Sequence, residues 1–285
     1  MDLDPEAALD KPRLSIRKRG GHLTRLMRDV LRQRAYPTFC EKLATIGRPL
    51  LLSRARDMTS QTETRSCLVL APHPDDETLG CGAVIMRKLG AGAPVKVVIA
   101  ADGRYAYPPS ELSVDALVEL REEEARQACA ILGLPRENIA FLRFEDRRLA
   151  DHRELLRDRL FEVFDTMDPE EIFVSSLIDN HPDHRVLAEL ARELARARGD
   201  RIPVLYEYPI WFWDPRIWRV RDLLGLHPRF VRTGEFGTRK REAIAAYRSQ
   251  VTNMIGRSRS APLRNGFVKQ FLHPEEIFFE VQVPF

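Results

Sequence analysis

Between residues 67 and 208 the chain repeats one pattern: a short apolar run, then a longer stretch whose apolar residues recur every three or four positions. The runs are CLVLA (67–71), VKVVIAA (95–101), IAFLRF (139–144), EEIFVSSL (170–177) and IPVLYEY (202–208). Short, apolar and bounded by turn residues, they read as buried strands. The stretches between them predict helices at about 75–89, 114–133, 154–167 and 182–198, the second closed by Gly133. Strands buried on both faces and joined by helices of this length make parallel β-α-β units with right-handed crossovers. The expected architecture is therefore an α/β, Rossmann-like three-layer fold with a mostly parallel sheet. Beyond residue 210 the pattern thins to an aromatic patch WFWDPRIW (211–218), a helix TRKREAIAAYRSQ (238–250) and a last strand IFFEVQV (277–283). The last strands are expected at an edge of the sheet, with antiparallel pairing.

The first 60 residues follow a different pattern. Leu23, Leu26, Met27, Val30 and Leu31 recur at helical spacing with Arg25, Arg28 and Arg32 between them, and Pro37 ends that helix. Phe39, Leu43 and Ile46 suggest a shorter helix before Pro49, and SQTETRS (60–66) reads as a polar linker. The chain thus divides into a basic helical extension, 1–60, and a main domain, 66–285. From Lys11 to Arg56 there are 13 Lys/Arg against two acids, a net +11, so the remainder must carry −8 to reach the chain's +3. Basic amphipathic helices suit two settings: peripheral association with an anionic membrane, here through residues 11–56, or docking on the main domain with the arginines solvated. No interleaving of aromatic and basic residues points to nucleic acid. No apolar run approaches the roughly 18 residues that cross a bilayer. The N-terminus MDLDPEAALD lacks the apolar segment of a secretory signal, and Cys40, Cys67, Cys81 and Cys129 form no C-x-x-C pair. The expectation is a soluble protein of the cytoplasm, or one peripheral at the inner face of the membrane.

Two segments carry chemistry. APHPDDETLGCGA (71–83) and DNHPDHR (179–185) each place His-Pro-Asp directly after a strand and before a helix. Open α/β sheets bind ligands outside the carboxyl ends of their strands, so the two segments are expected to face one crevice. Proline suits the first helical position, which would put His73 and His181 at N-caps and Asp76 and His184 in the first turns. Four candidate metal ligands then converge: His73, Asp76, His181 and His184. His and Asp donors suit Zn²⁺, a catalytic site having three protein ligands, and the fourth residue is left for chemistry. Asp75 is a natural general base for an activated water. Helix N-termini disfavour cations, an effect the carboxylates of Asp75 and Asp76 would offset. His-Pro also occurs at 227 and 273, where turns are expected, so the dipeptide alone carries no signal. Glu77 is read as an acidic first-turn residue or a support for a ligand. Tyr105 and Tyr107 stand in a loop just past Asp102, where loops usually shape specificity.

At these residues the sequence resembles the PIG-L/LmbE family of zinc-dependent N-acetylglucosaminyl deacetylases. The likeness lies in APHPDDE (71–77) and HPDH (181–184), and extends to LGCGA (79–83), ADG (101–103) and the RxxEAxxAxxxLG pattern of 121–133. It covers roughly residues 66–205, with weaker echoes to 250 in AIAAYRSQ. The resemblance implies zinc bound by His73, Asp76 and His184, with Fe²⁺ or Co²⁺ as alternatives. It further implies Asp75 as general base, His181 as support for the oxyanion and a proton donor to the leaving amine, and an N-acetylated amino-sugar substrate with Arg121 near its hydroxyls. Asp102, at the next strand end, is expected either to accept a sugar hydroxyl or to cap its own loop. Ala101 stands where the family often has threonine. Two other readings are a related amidase acting on a non-sugar amide, and an inactive metal- or partner-binding module. The presence of both Asp75 and His181 disfavours the second.

Overall fold

A computed structural model describes residues 47–106, 112–213, 224–255 and 261–283. Eight strands form one sheet: β1 (Arg56–Asp57), β2 (Cys67–Ala71), β3 (Val95–Ala101), β4 (Ile139–Phe144), β5 (Glu171–Ser175), β6 (Val204–Tyr208), β7 (Pro228–Arg232) and β8 (Glu275–Val281). Five longer helices flank it: α1 (Asp76–Gly90), α2 (Val114–Leu132), α3 (Arg153–Met167), α4 (Pro182–Ala197) and α5 (Gly237–Ala246). The strand order is β1-β7-β8-β6-β5-β2-β3-β4. Every pairing is parallel except those of β8 with β6 and β7.

The period-two alternation of each strand builds the layers. Cys67, Val69 and Ala71 of β2 face the core shared with α1, α2 and α5. Leu68 and Leu70 face the core shared with α3 and α4. Helix α2 begins at Ser113, whose side chain accepts the Ala116 N–H at 3.1 Å, and ends at Gly133 with φ 89°. Gly80 in α1 is required by a close approach: a Cβ there would lie 2.3 Å from the Tyr208 ring.

Several expectations are corrected. The final strand β8 is interior, between β6 and β7, because Glu276–Phe279 are buried on both faces; its antiparallel direction is as expected. Residues 238–250 form two helices, α5 and Arg248–Val251, since the chain turns at Tyr247 with ψ 59°. His227-Pro228 is no turn. Pro228 opens β7, a first-strand position where its missing N–H costs nothing. The segment 60–66 is no free linker. Residues Thr59–Thr62 are helical, Thr62 is fully buried, and the buried Lys88 ammonium donates to the carbonyls of Thr62 and Arg65 and to Glu171 Oε2. The chain is also helical at 47–52, through Pro49. The basic helix expected at 23–31, the shorter one expected at 39–46, Tyr107 and residues 214–218 lie outside the described residues. Among the described residues no helix is long and apolar enough to cross a membrane.

Candidate metal centre and active site

The strand order reverses at β2, whose neighbours are β3 on one side and β5 on the other. The turns after β2 and β5 therefore open side by side at the carboxyl edge of the sheet, which is why the two His-Pro-Asp segments meet. The second behaves as expected: His181 is the N-cap of α4 with Pro182 at its first turn, and His181 Nδ1 accepts the Asp183 N–H at 3.3 Å. The first does not. Helix α1 starts at Asp76, and the residue before it is Asp75 at φ 135°, ψ −30°. An L-residue held at positive φ stores about 1–3 kcal/mol of strain, found mostly where function over-determines the backbone.

The expected donors converge. Asp76 Oδ2 lies 3.3 Å from His73 Nδ1 and 3.4 Å from His184 Nε2. His184 Nδ1 contacts Asp179 Oδ2 at 2.9 Å, which leaves Nε2 pointing at Asp76; that nitrogen is buried and has no hydrogen-bond partner. An orphaned buried nitrogen facing a carboxylate fits a cation between them. One nitrogen from each of His73, His181 and His184 lies within 4.8 Å of the others, and His73, Asp146, His181 and Asp183 meet the same limit. Two groups able to hold a metal ion thus share His73 and His181.

Electrostatics favour positive charge here. Burial opposes protonation of His184, but Asp76 and Asp179 raise it to about 9. His73 is likewise raised against its burial, by hydrogen bonds to Asp146, Asp183 and Asp76. Asp76 stays ionised far below the usual carboxylate range: burial opposes this, and His184 and His73 prevail. A bound cation would take over the role those protons fill. Burial pushes Asp75 up to about 8, with the charges of Asp76 and Glu77 adding to the rise and Arg121 opposing it. Burial and the neighbouring cationic imidazoles lower His181 to about 4.

Arg121 is held by protein partners, and Asp102 takes the second of its two expected roles. Arg121 reaches the crevice wall, but its guanidinium is committed to protein: Nη1 donates to Gly103 O at 3.0 Å, and Nη2 to Pro74 O at 2.6 Å and Asp75 Oδ2 at 3.1 Å. Gly103, at φ 68°, leaves the room this requires, since a Cβ would fall 2.0 Å from Arg121 Nη1. Asp102 caps its own loop, accepting the N–H groups of Arg104 and Asp146 and pairing with the Arg104 guanidinium. Glu77 is buried and supports Asp75, whose N–H donates to Glu77 Oε2 at 3.2 Å.

Three acids were not singled out from the sequence. Asp146 and Asp183 lie 3.1 and 3.2 Å from His73 Nε2, and Asp179 orients His184 while accepting the N–H groups of Ile210 and Phe212. The available signal was position: Asp146 follows the end of β4, and Asp179 and Asp183 flank His181. The cleft above the cluster measures about 240 Å³. Its lining includes the polar Asp75, Asp146 and His181 and the apolar Ile210, Trp211 and Leu263. Tyr105 lines the rim, with its hydroxyl donating to Glu145 at 2.8 Å.

The family described as GlcNAc-PI de-N-acetylase (PIG-L) matches residues 68–195. A probable N-acetyl-alpha-D-glucosaminyl L-malate deacetylase 2 of Bacillus cereus is 24% identical over 198 residues, 67% of this chain and 86% of that protein. Among solved structures, an A40926 pseudoaglycone deacetylase aligns with a TM-score of 0.58 at 23% identity, covering 76% of this chain and 97% of its own. A 4-carboxy-2-hydroxymuconate hydratase of Pseudomonas putida aligns with a TM-score of 0.52 at 22% identity, covering 73% and 83%. At these identities the structures speak for the fold alone, and the hydratase carries a different reaction on it. The family match and the order of the two His-Pro-Asp motifs agree, and over residues 68–195 this chain is similar to the PIG-L family.

Proposed function

We propose that this protein hydrolyses the N-acyl amide, N-acetyl in the first instance, of an amino sugar or amino-sugar conjugate, with a divalent cation held by His73, Asp76 and His184. The observation that carries the reading is the partnerless buried Nε2 of His184, facing Asp76, which with His73 lines the cleft. The family match and the deacetylase names of the relatives support the substrate class. Zinc is the ion the donor set favours, and when bound it supplies an acidified water and a Lewis acid for the carbonyl.

The chain's own residues account for the proton movements. Asp75, gripped by Arg121 and set in a strained turn, takes a proton from the water as its oxygen bonds to the acyl carbon. His181 Nδ1 already accepts a backbone N–H, so its proton sits on Nε2, placed to donate to the developing oxyanion. The proton on Asp75 then passes to the nitrogen as the C–N bond breaks, giving a free amine and a carboxylate. Asp146 and Asp183 hold the His73 ring, and Asp179 the His184 ring.

Free-amine release from a panel of acetylated glycosides and non-sugar amides, paired with metal analysis, tests the reading. The expected result is release from N-acetylglucosamine glycosides, lowered at least about a hundredfold in Asp75→Asn with unchanged metal content. Release from non-sugar amides alone would reassign the substrate. A metal-loaded protein that hydrolyses no amide would overturn the proposal.

A further inference from the structure

The backbone of Asp75 departs from ordinary conformation, and a chain of buried hydrogen bonds holds it there. Its N–H donates to Glu77 Oε2 at 3.2 Å. The other carboxylate oxygen, Oε1, accepts from Thr78 Oγ1 at 2.6 Å and from the phenol of Tyr247, which also lies 3.3 Å from Thr78 Oγ1. Glu77, Thr78 and Tyr247 are no more than 1% exposed. Tyr247 comes from the far part of the chain, at the corner between α5 and Arg248–Val251. That corner is itself pinned: Ser249 donates its N–H and hydroxyl to the two oxygens of Glu124 on α2, at 2.7 and 2.6 Å. Its next residue, Gln250, lines the cleft. Phenylalanine would fill the Tyr247 volume equally well, so packing does not explain the hydroxyl. Removing it would leave a buried carboxylate short of a donor.

We infer that Tyr247 is a positioning residue: its hydroxyl fixes Glu77, and Glu77 holds the Asp75 backbone at positive φ so that the Asp75 carboxylate faces the cation cluster. The effect on turnover rests on the proposed role of Asp75 as proton acceptor; the effect on the backbone does not. The AIAAYRSQ segment thereby gains a purpose, joining the C-terminal third of the chain to the turn that carries the base.

Tyr247→Phe, Glu77→Gln and Glu77→Ala in the full-length zinc-loaded protein test this. For amine release from an N-acetylglucosamine glycoside, Tyr247→Phe should lower kcat about tenfold to a hundredfold, the scale of a slightly misplaced group. KM and zinc stoichiometry should stay close to those of the parent, while Tm falls modestly because the buried carboxylate loses a donor. Glu77→Gln, whose amide oxygen still accepts the Asp75 N–H, should retain more kcat than Glu77→Ala. Crystals of Tyr247→Phe should show Asp75 relaxed out of positive φ. Parental kcat with Asp75 φ unchanged would overturn the inference, as would a fall in kcat that merely tracks lost zinc. If the parent releases no amine, the deacetylase reading fails, and the Asp75 φ in Tyr247→Phe still decides whether Tyr247 positions that backbone.

Discussion

His184 has one nitrogen held by Asp179, and that hydrogen bond selects which nitrogen is left to meet a cation. Asp179→Asn should therefore weaken metal binding about 10–100-fold while leaving the proposed ligands His73, Asp76 and His184 in place, as read by competition with a chelator. Metal affinity equal to the parent's would show that burial alone orients the ring. A second residue-scale consequence concerns the thiols. Burial pushes Cys67 up to about 12 from an ordinary value near 9, and raises Cys81 and Cys129 as well. Because the folded values are raised, their contribution to stability is complete below about pH 9 and is lost as pH climbs toward the folded values. None of the three should react with iodoacetamide at pH 8 until the protein unfolds, checked by mass spectrometry of native and denatured samples. At this scale the sequence showed which residues carry charge and which offer donor atoms at one crevice. It did not show that Arg121 grips Asp75, because one stands on a helix and the other in the turn after a strand 46 residues earlier.

Elements were legible where their own residues decide them. The strands at 67–71, 95–101 and 139–144 are buried on both faces or pair with such strands, and the helix 114–132 carries its own caps, so apolar pattern and turn chemistry suffice. Strand β7 was missed because PRFVR has little apolar pattern; it becomes a strand through its ladder with β8 on one side and β1 on the other. The break at Tyr247 was missed because AIAAYRSQ has full helical propensity, and tertiary hydrogen bonds to Glu77 and Glu124 override it. Gly80 belongs to this scale too. It lets α1 lie against the ring of Tyr208, whose hydroxyl donates to Leu70 O at 2.8 Å across the sheet. Gly80→Ala should destabilise the protein by about 1–3 kcal/mol through overpacking, seen as a lower denaturation midpoint with an unchanged m-value.

For the whole molecule, the division at residue 60 meets a structural limit. Arg48 is buried, donating to the carbonyls of Gln270 and Glu275, β1 pairs with β7, and Thr62 lies under Lys88. Deleting residues 1–66 should therefore lower Tm sharply rather than release an intact domain. The membrane reading of residues 11–56 predicts binding to anionic liposomes that falls with salt and disappears when residues 1–39 are removed; no binding at low salt would end it. The sequence by itself determined the alternation of strands and helices, the layers they form and the candidate donor side chains, because apolar periodicity and donor chemistry are local properties. Only the tertiary structure decided that the strand order reverses at β2. That reversal sets two segments about a hundred residues apart over one another, surrounds their imidazoles with Asp146, Asp179 and Asp183, and gives Asp75 a backbone that no local propensity favours.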